Sequence, residues 1–273
     1  MMTVKLKSGA TMPVLGLGTW QLNGEECVEA VSKAIALGYR HIDTAEGYEN
    51  HREVKAGILK SGVRRQDLFI TSKLMRGRYS RRNVLEACDA TLKELGVDYL
   101  DLYLIHWPDS SYPVDETLDA MGSLIDAGKV RDIGVSNFTV SHIAEAERVS
   151  RAPISVNQVE YHVYLNQENL LSECTARGII LTAYSPLARG QVIGDPVLTR
   201  ISERHGKTAS QVAIRWLIQK GITVIPKARS EAHLKENFDV FDFELTDKDM
   251  HEIDSMGITR RLIKPPWHEF DRV

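Results

Sequence analysis

The chain has 273 residues, 43% of them hydrophobic and 26% charged, which is ample apolar material for a large core. A formal net charge of -3, with both signs mixed along the chain, leaves no basic face for nucleic acid or an anionic membrane and points to small-molecule partners. The opening MMTVKLKSGATM lacks the apolar core of a signal peptide, and no later run approaches the roughly 18 apolar residues of a spanning helix, so a cytoplasmic address is expected.

In chain order, TVKLKSGATMPV alternates around a Ser-Gly turn and reads as a small hairpin. VLGLGTW follows as a first strand. Six glycines (Gly38, Gly62, Gly96, Gly128, Gly178 and Gly221) then each close a helix-like stretch and precede an apolar run, as C-terminal caps do. Those runs are RHIDTA, LFITSK, YLDLYLIHW, VRDIGVSN, IILTAYS and ITVIPK, and ISVNQVEYH near residue 154 completes eight. Amphipathic helices are expected over 25–37, 51–60, 81–95, 115–127, 139–149, 167–177, 208–220 and 247–256, with Ser80, Asn166 and Thr246 as N-caps. Eight strand–helix units in about 250 residues predict one domain, residues 1–273, folded as a (β/α)8 TIM barrel. An open doubly wound sheet is the competing topology.

In a barrel the chemistry gathers at the C-terminal ends of the strands. Those ends carry Trp20, Asp43, Lys73, His106 with Trp107, Ser136 with Asn137, Gln158, Tyr184 with Ser185, and Lys227. Taken singly, each has an ordinary reading as a cap, rim lysine or turn former. Their convergence on one face favours an active site. A lysine beside a phenol lowers the phenol's pKa, and a carboxylate holds the lysine in place, so Asp43 and Lys73 would tune Tyr48 as a general acid. His106 would orient the oxygen being protonated.

Two reactions suit such a group: hydride transfer from a nicotinamide to a carbonyl, or a Schiff base on Lys73. The Gly16-x-Gly18 of GLGTW is no Rossmann fingerprint, because position 21 is Gln and no suitable acidic residue follows. A dinucleotide would instead meet Ser136, Asn137 and Gln158 at its carboxamide, the Tyr184 ring, and Lys227 with Arg229 at a phosphate. No His-x-His pair supports a metal, and none is expected. Cys27, Cys88 and Cys174 lie far apart without ligand spacing and read as reduced packing residues.

The stretches GLGTW, GYRHIDTAEGYEN, ITSKL, DLYLIHWP, GVSNF, NQVEYH, AYSPLARG and IPKA followed by KEN, in this order, resemble the aldo-keto reductase family along almost the whole chain. The resemblance implies NAD(P)H-dependent reduction of aldehydes or ketones by a tetrad of Asp43, Tyr48, Lys73 and His106, with the cofactor binding first. It implies that Ser185, Leu187, Gly190 and Gln191 line the pyrophosphate, that Lys227 faces a 2′-phosphate, and that Glu236 and Asn237 face the adenine. Trp20, Trp107 and Trp267 would border the substrate, and the tail RRLIKPPWHEFDRV would fold over the barrel mouth. The nearest resemblance is to compact bacterial members such as diketogluconate reductases and broad aldehyde reductases.

The chain departs from the family pattern at His51 and Lys55, where Glu and Gly are usual, and at Ala228 and His233, where Ser and Arg are usual. The second pair removes contacts to a 2′-phosphate worth roughly 1.5 to 3 kcal/mol each, partly replaced by Arg229, so NADPH use with appreciable NADH use is expected. Arg76, Arg78, Arg81 and Arg82 form a basic cluster after the Lys73 strand, read either as an anion attractor or as a solvated rim. Family members that serve as channel-associated subunits or lens crystallins keep a cofactor-binding or structural role as the alternative to catalysis, and a monomer needs no further assumption.

Overall fold

The computed structural model describes residues 2–270 of the chain. The opening hairpin pairs β1 (Thr3–Lys5) with β2 (Thr11–Pro13), Val4 opposite Met12. The other strands are β3 (Leu17–Gly18), β4 (His41–Asp43), β5 (Phe69–Leu74), β6 (Leu100–Ile105), β7 (Val130–Ser136), β8 (Ile154–Glu160), β9 (Ile180–Tyr184) and β10 (Thr223–Val224). They form one parallel sheet in sequential order, as right-handed strand–helix–strand crossovers require. Across its two ends, Val224 N donates to Val14 O at 2.8 Å, Gly16 N to Val224 O at 2.9 Å and Gly18 N to Pro226 O at 3.2 Å. The sheet therefore closes, and the expected (β/α)8 barrel is the fold.

That closure accounts for the glycines of GLGTW. A Cβ on Gly16 would stand 2.8 Å from the His41 ring, and one on Gly18 2.6 Å from the Ile225 carbonyl oxygen. Close approach of the first and last strands, with no phosphate involved, requires both.

The helices are α1 (Gly24–Leu37), α2 (His51–Ser61), α3 (Arg81–Leu95), α4 (Val114–Asp126), α5 (Val140–Val149), α6 (Glu168–Ala176), α7 (Pro196–His205), α8 (Ala209–Gln219), α9 (Glu231–Phe238) and α10 (Asp247–Asp254). All six cap glycines adopt positive φ, as the reading of helix stops supposed. Ser80 caps α3 by accepting from Asn83 N, and Thr246 forms a capping box with Asp249. Asn166 does not cap α6; its side chain accepts from the Tyr161 hydroxyl and donates to Asp254 at 3.3 Å. Helices α7 and α9 are additions to the eight expected. Asp195 accepts from Val197 N and Leu198 N ahead of Pro196, and Ser230 accepts from His233 N.

The hairpin shuts the bottom of the barrel. Leu6 and Met12 pack with Phe69, Leu102, Leu104 and Val156 in a small core of their own, inside the ring of strands. Burial of each such side chain contributes roughly 1.5 to 3 kcal/mol. Ser8 and Ser155 both donate to Asp132, at 2.5 and 2.6 Å, and tie the hairpin to β7 and β8. With that end closed, ligand access falls to the end where β4 to β9 finish.

The C-terminal tail folds over that open end. Leu262 N and Ile263 N donate to the buried Glu160 carboxylate at 2.6 and 2.9 Å, and Ser110 N donates to Glu269 at 2.7 Å. Phe270 packs its ring 5.9 Å from Trp107. The last residues of the tail, 271–273, lie outside the described residues. Among the described residues no helix is long and apolar enough to cross a membrane.

Candidate active site

Alternation along β4 and β5 sends Asp43 and Lys73 to the barrel interior, where both are almost fully buried. Lys73 Nζ lies 2.5 Å from Asp43 Oδ1 and donates to the Thr44 carbonyl at 2.9 Å. Tyr48 stands on a single 3-10 turn, Glu46–Tyr48, after β4, and its hydroxyl is 3.4 Å from Lys73 Nζ. His106 follows β6, and its ring meets the Tyr48 ring edge-on with centroids 5.7 Å apart. Residues from three successive strand–loop units thus converge on one patch at the mouth.

The electrostatics differ from the sequence expectation at one point. Burial pushes the Tyr48 phenol well above its ordinary pKa, and the Asp43 charge adds to that rise. The Lys73 ammonium beside the phenol is itself held by Asp43 at 2.5 Å. Burial also pulls Lys73 below the usual lysine value, with Asp43 opposing. His106 is held down to about 3, first by burial and then by Lys73, so its imidazole is neutral. The patch therefore holds a phenol that keeps its proton beside a neutral imidazole.

Next to it lies a closed amide network. Gln158 Nε2 donates to Asp43 Oδ2 at 2.7 Å and Ser136 Oγ to the Gln158 carbonyl at 2.7 Å. Asn137 Nδ2 donates to the His106 carbonyl at 2.9 Å, and Tyr184 Oη to Asn137 Oδ1 at 2.7 Å. Asn137 holds this place with φ of 64°, a left-handed conformation that Asn tolerates better than most residues. Gln158 Oε1 has no hydrogen bond among the described residues and is not sealed off, so one acceptor remains open to a carboxamide N–H.

After β9 the chain runs through Ser185, Leu187 and Gly190 to Gln191, and Ser185, Ala188, Arg189 and Gly190 all have positive φ. Arg189 and Lys227 flank the half-exposed Trp20 ring at 5.1 and 5.6 Å. Neither makes an ion pair with a carboxylate among the described residues. Burial, then Arg229 and Arg189, lower the Lys227 pKa, with Glu26 opposing. Arg229 Nε is 3.4 Å from Glu26. His233 is exposed on α9 and Ala228 is buried, while Glu236 accepts from Thr208 Oγ1 at 2.6 Å. Asn237 is buried with 3% exposure and presents almost no surface to a ligand.

The arginine cluster after β5 resolves as a paired rim. Arg76 pairs with Asp109 at 2.7 Å and Arg82 with Glu86 at 2.7 Å, while Arg78 pairs with Glu46 and Arg81 with Asp119. Each positive charge is spent locally, so the ordinary reading holds. His51, which replaces a carboxylate of the family pattern, is buried between Ser72 at 3.1 Å and Glu94 at 3.2 Å. Lys55 lies along Gly96, whose missing Cβ leaves room for it. Trp267 is half-exposed, 5.8 Å from the Arg76 guanidinium. All three cysteines are buried and free; burial pushes Cys27 and Cys88 up to about 12 and Cys174 to about 11.

The Aldo/keto reductase family model matches residues 14–258. The chain belongs to the aldo/keto reductase family. This aldo/keto reductase is 46% identical over 261 residues to a glyoxal reductase of Bacillus subtilis, covering 95% of this chain and 94% of that one. It is 38% identical over 277 residues to a morphine 6-dehydrogenase of Pseudomonas putida, covering 96% and 94%. Among solved structures, a putative 2,5-diketo-D-gluconic acid reductase B is 43% identical with a TM-score of 0.94, covering 98% of this chain and 96% of that one. As a member of this family the protein is an oxidoreductase that reduces carbonyls with a nicotinamide cofactor.

Two contributors to the mouth had no role assigned from sequence. Glu160, in NQVEYH, anchors the tail, and Arg261, in the tail itself, stacks its guanidinium 3.9 Å from the Phe270 ring centre. Nothing in the local sequence pattern of either predicts contacts across about a hundred residues.

Proposed function

We propose that this aldo/keto reductase reduces small aldehydes or ketones with Tyr48 as the proton donor, NADPH as the main cofactor and NADH as an appreciable alternative, in the cytoplasm. The observation that carries the reading is the Lys73 ammonium placed between Asp43 and the Tyr48 hydroxyl, at 2.5 and 3.4 Å. A reduced nicotinamide, when bound, supplies the hydride. Charge then grows on the substrate oxygen, and the Tyr48 proton moves to it. Before that moment burial keeps the phenol protonated. Afterwards Lys73 faces the new phenolate, so its charge is worth most as the proton leaves. Neutral His106 presents a ring N–H to the carbonyl oxygen and fixes its position.

The groups available to hold the cofactor fit it chemically. Gln158 Oε1, with Ser136 and Asn137, suits a carboxamide, and the half-exposed Tyr184 ring suits stacking. The left-handed residues Ser185, Ala188, Arg189 and Gly190 suit a backbone cradle for a pyrophosphate, and Arg189, Lys227 and Arg229 suit phosphate charge. A Schiff base on Lys73 is disfavoured, since that amine has no exposed surface and is committed to Asp43. The test is oxidation of NADPH and NADH with 4-nitrobenzaldehyde by wild type and Tyr48→Phe. Activity that vanishes in the variant supports the reading; equal activity in both overturns it.

A further inference from the structure

Proton donation by Tyr48 depends on the 3.4 Å between its hydroxyl and Lys73 Nζ, and the sheet alone does not set that distance. Backbone pairing of β4 with β5 ends at Asp43 opposite Thr71, followed by one bond from Thr44 N to Thr71 O at 2.9 Å. Tyr48 stands beyond that last bond. On one flank Asn50 anchors the loop, donating to Thr19 O and Leu22 O at 2.9 Å each and accepting from Thr44 Oγ1 at 2.7 Å. On the β5 flank, Lys73 apart, the ties are side-chain bonds. Glu46 takes Met75 N at 3.0 Å and pairs with Arg78 at the rim, while His51 Nε2 meets Ser72 Oγ at 3.1 Å behind the wall.

The His51 bond differs from the rim contacts in its burial and in what it joins. His51 and Ser72 are 2% and 0% exposed, and burial strengthens a hydrogen bond relative to one that water can reach. His51 opens α2 just after the Tyr48 turn, and Ser72 immediately precedes Lys73 on the opposite face of β5. The bond therefore couples the backbone next to the proton donor to the backbone that carries the ammonium. Its direction follows from the second partner of the ring. Glu94 Oε2 lies 3.2 Å from His51 Nδ1, and a carboxylate only accepts, so Nδ1 carries the proton of a ring that burial keeps neutral. Nε2 is left as the acceptor, and the Ser72 hydroxyl donates to it. His51 is also a position at which this chain departs from the family pattern.

Resting on the carbonyl-reductase reading above, we propose that His51 is a positioning residue that acts from behind the barrel wall. By accepting from Ser72 it fixes the Tyr48 turn against β5, and so holds the Tyr48 hydroxyl at the Lys73 ammonium. Glu94 keeps the ring in the tautomer that does this.

The experiment follows NADPH oxidation with 4-nitrobenzaldehyde by wild type, His51→Leu, Ser72→Ala, the double variant and His51→Gln. It reads kcat, KM, NADPH affinity by fluorescence quenching, and the solvent deuterium isotope effect on kcat. Misplacement of the donor should lower kcat roughly 10- to 100-fold in His51→Leu, with KM and NADPH affinity unchanged within about twofold. The isotope effect should rise, because departure of the Tyr48 proton becomes slower relative to the other steps. Ser72→Ala should reproduce the loss, and the double variant should be no worse than either single one, as for two partners in one bond. His51→Gln, whose amide still reaches Ser72, should recover most of the rate. An unchanged kcat, additive losses, an equal loss in His51→Gln, or an unmoved isotope effect overturns the proposal. If His51→Leu does not fold, Ser72→Ala and His51→Gln decide by the same measures. Failure of wild type to reduce the aldehyde would sink the reductase reading and this proposal with it, whereas variants that match an active wild type sink this proposal alone.

Discussion

Gln158 Nε2 and Asp43 Oδ2 are hydrogen-bonded at 2.7 Å, so the carboxylate that fixes Lys73 is also tied to an amide suited to the cofactor. The two halves of the site, proton donor and nicotinamide platform, therefore share one buried acid. Gln158→Leu leaves Asp43 Oδ2 without its donor, a change worth roughly 1.5 to 3 kcal/mol for a bond to a charged group. It should lower the melting temperature, weaken NADPH binding and reduce kcat together. Differential scanning fluorimetry, a cofactor titration and steady-state rates check this, and a loss confined to KM for the aldehyde would contradict it.

Acid stability follows from two histidines buried away from the mouth. His41 is 1% exposed, with Nε2 3.0 Å from Thr71 Oγ1, and burial holds its pKa at about 4. His51 is 2% exposed and is also lowered, first by burial, with Glu94 opposing. Both are neutral when folded and gain a proton on unfolding below about pH 6.5. Their contribution is therefore complete above that pH and is lost as pH falls toward the folded values. The expected slope from His41 is roughly 1.4 kcal/mol per pH unit between its unfolded and folded values, and His51 acts in the same direction. Urea unfolding between pH 7.5 and 5 measures it, and proton uptake near zero at pH 5.5 would refute it.

Cofactor choice turns on α9. His233 is exposed and only its backbone N–H is engaged, by Ser230 Oγ at 3.2 Å, so its side chain can change without disturbing the helix start. His233→Arg should raise the NADPH-to-NADH ratio of kcat/KM roughly 10-fold or more through an added charge-assisted contact. Steady-state kinetics with the two cofactors decide it. An unchanged ratio would mean that Arg189, Lys227 and Arg229 already supply all the phosphate recognition.

Thiol chemistry should be absent from the native protein. Cys27, Cys88 and Cys174 have no exposed surface, and burial raises each thiol far above neutral pH. Ellman's reagent should find none of them before denaturation and all three afterwards. Rapid labelling of one thiol in the folded enzyme would contradict this.

Much of the architecture was legible because it rests on local signals. Helix-stopping glycines and strand runs mark out the eight units, and the residues that end those strands are the residues at the mouth. Helices α7 and α9 stand ahead of the helix that completes their unit, between β9 and α8 and between β10 and α10, so a count of one helix per strand leaves no place for them. Asn166 failed as a cap because Tyr161 and Asp254, distant in sequence, claimed its side chain. The net rise of the Tyr48 pKa comes first from burial, which the sequence does not show. Sequence shows that Lys73 and Asp43 are both present, and the structure adds their separation of 2.5 Å.

The seam of the barrel has a mechanical meaning. Strands β3 and β10 have two residues each, whereas β7 and β8, across the barrel, have seven. The wall is thus stiff on one side and thinly stitched on the other, and the thin side is bordered by Trp20 and Lys227. Local opening is cheapest where backbone bonds are fewest. A ligand spanning from the Trp20 loop to the Lys227 loop would act as a suture across this thinly stitched seam.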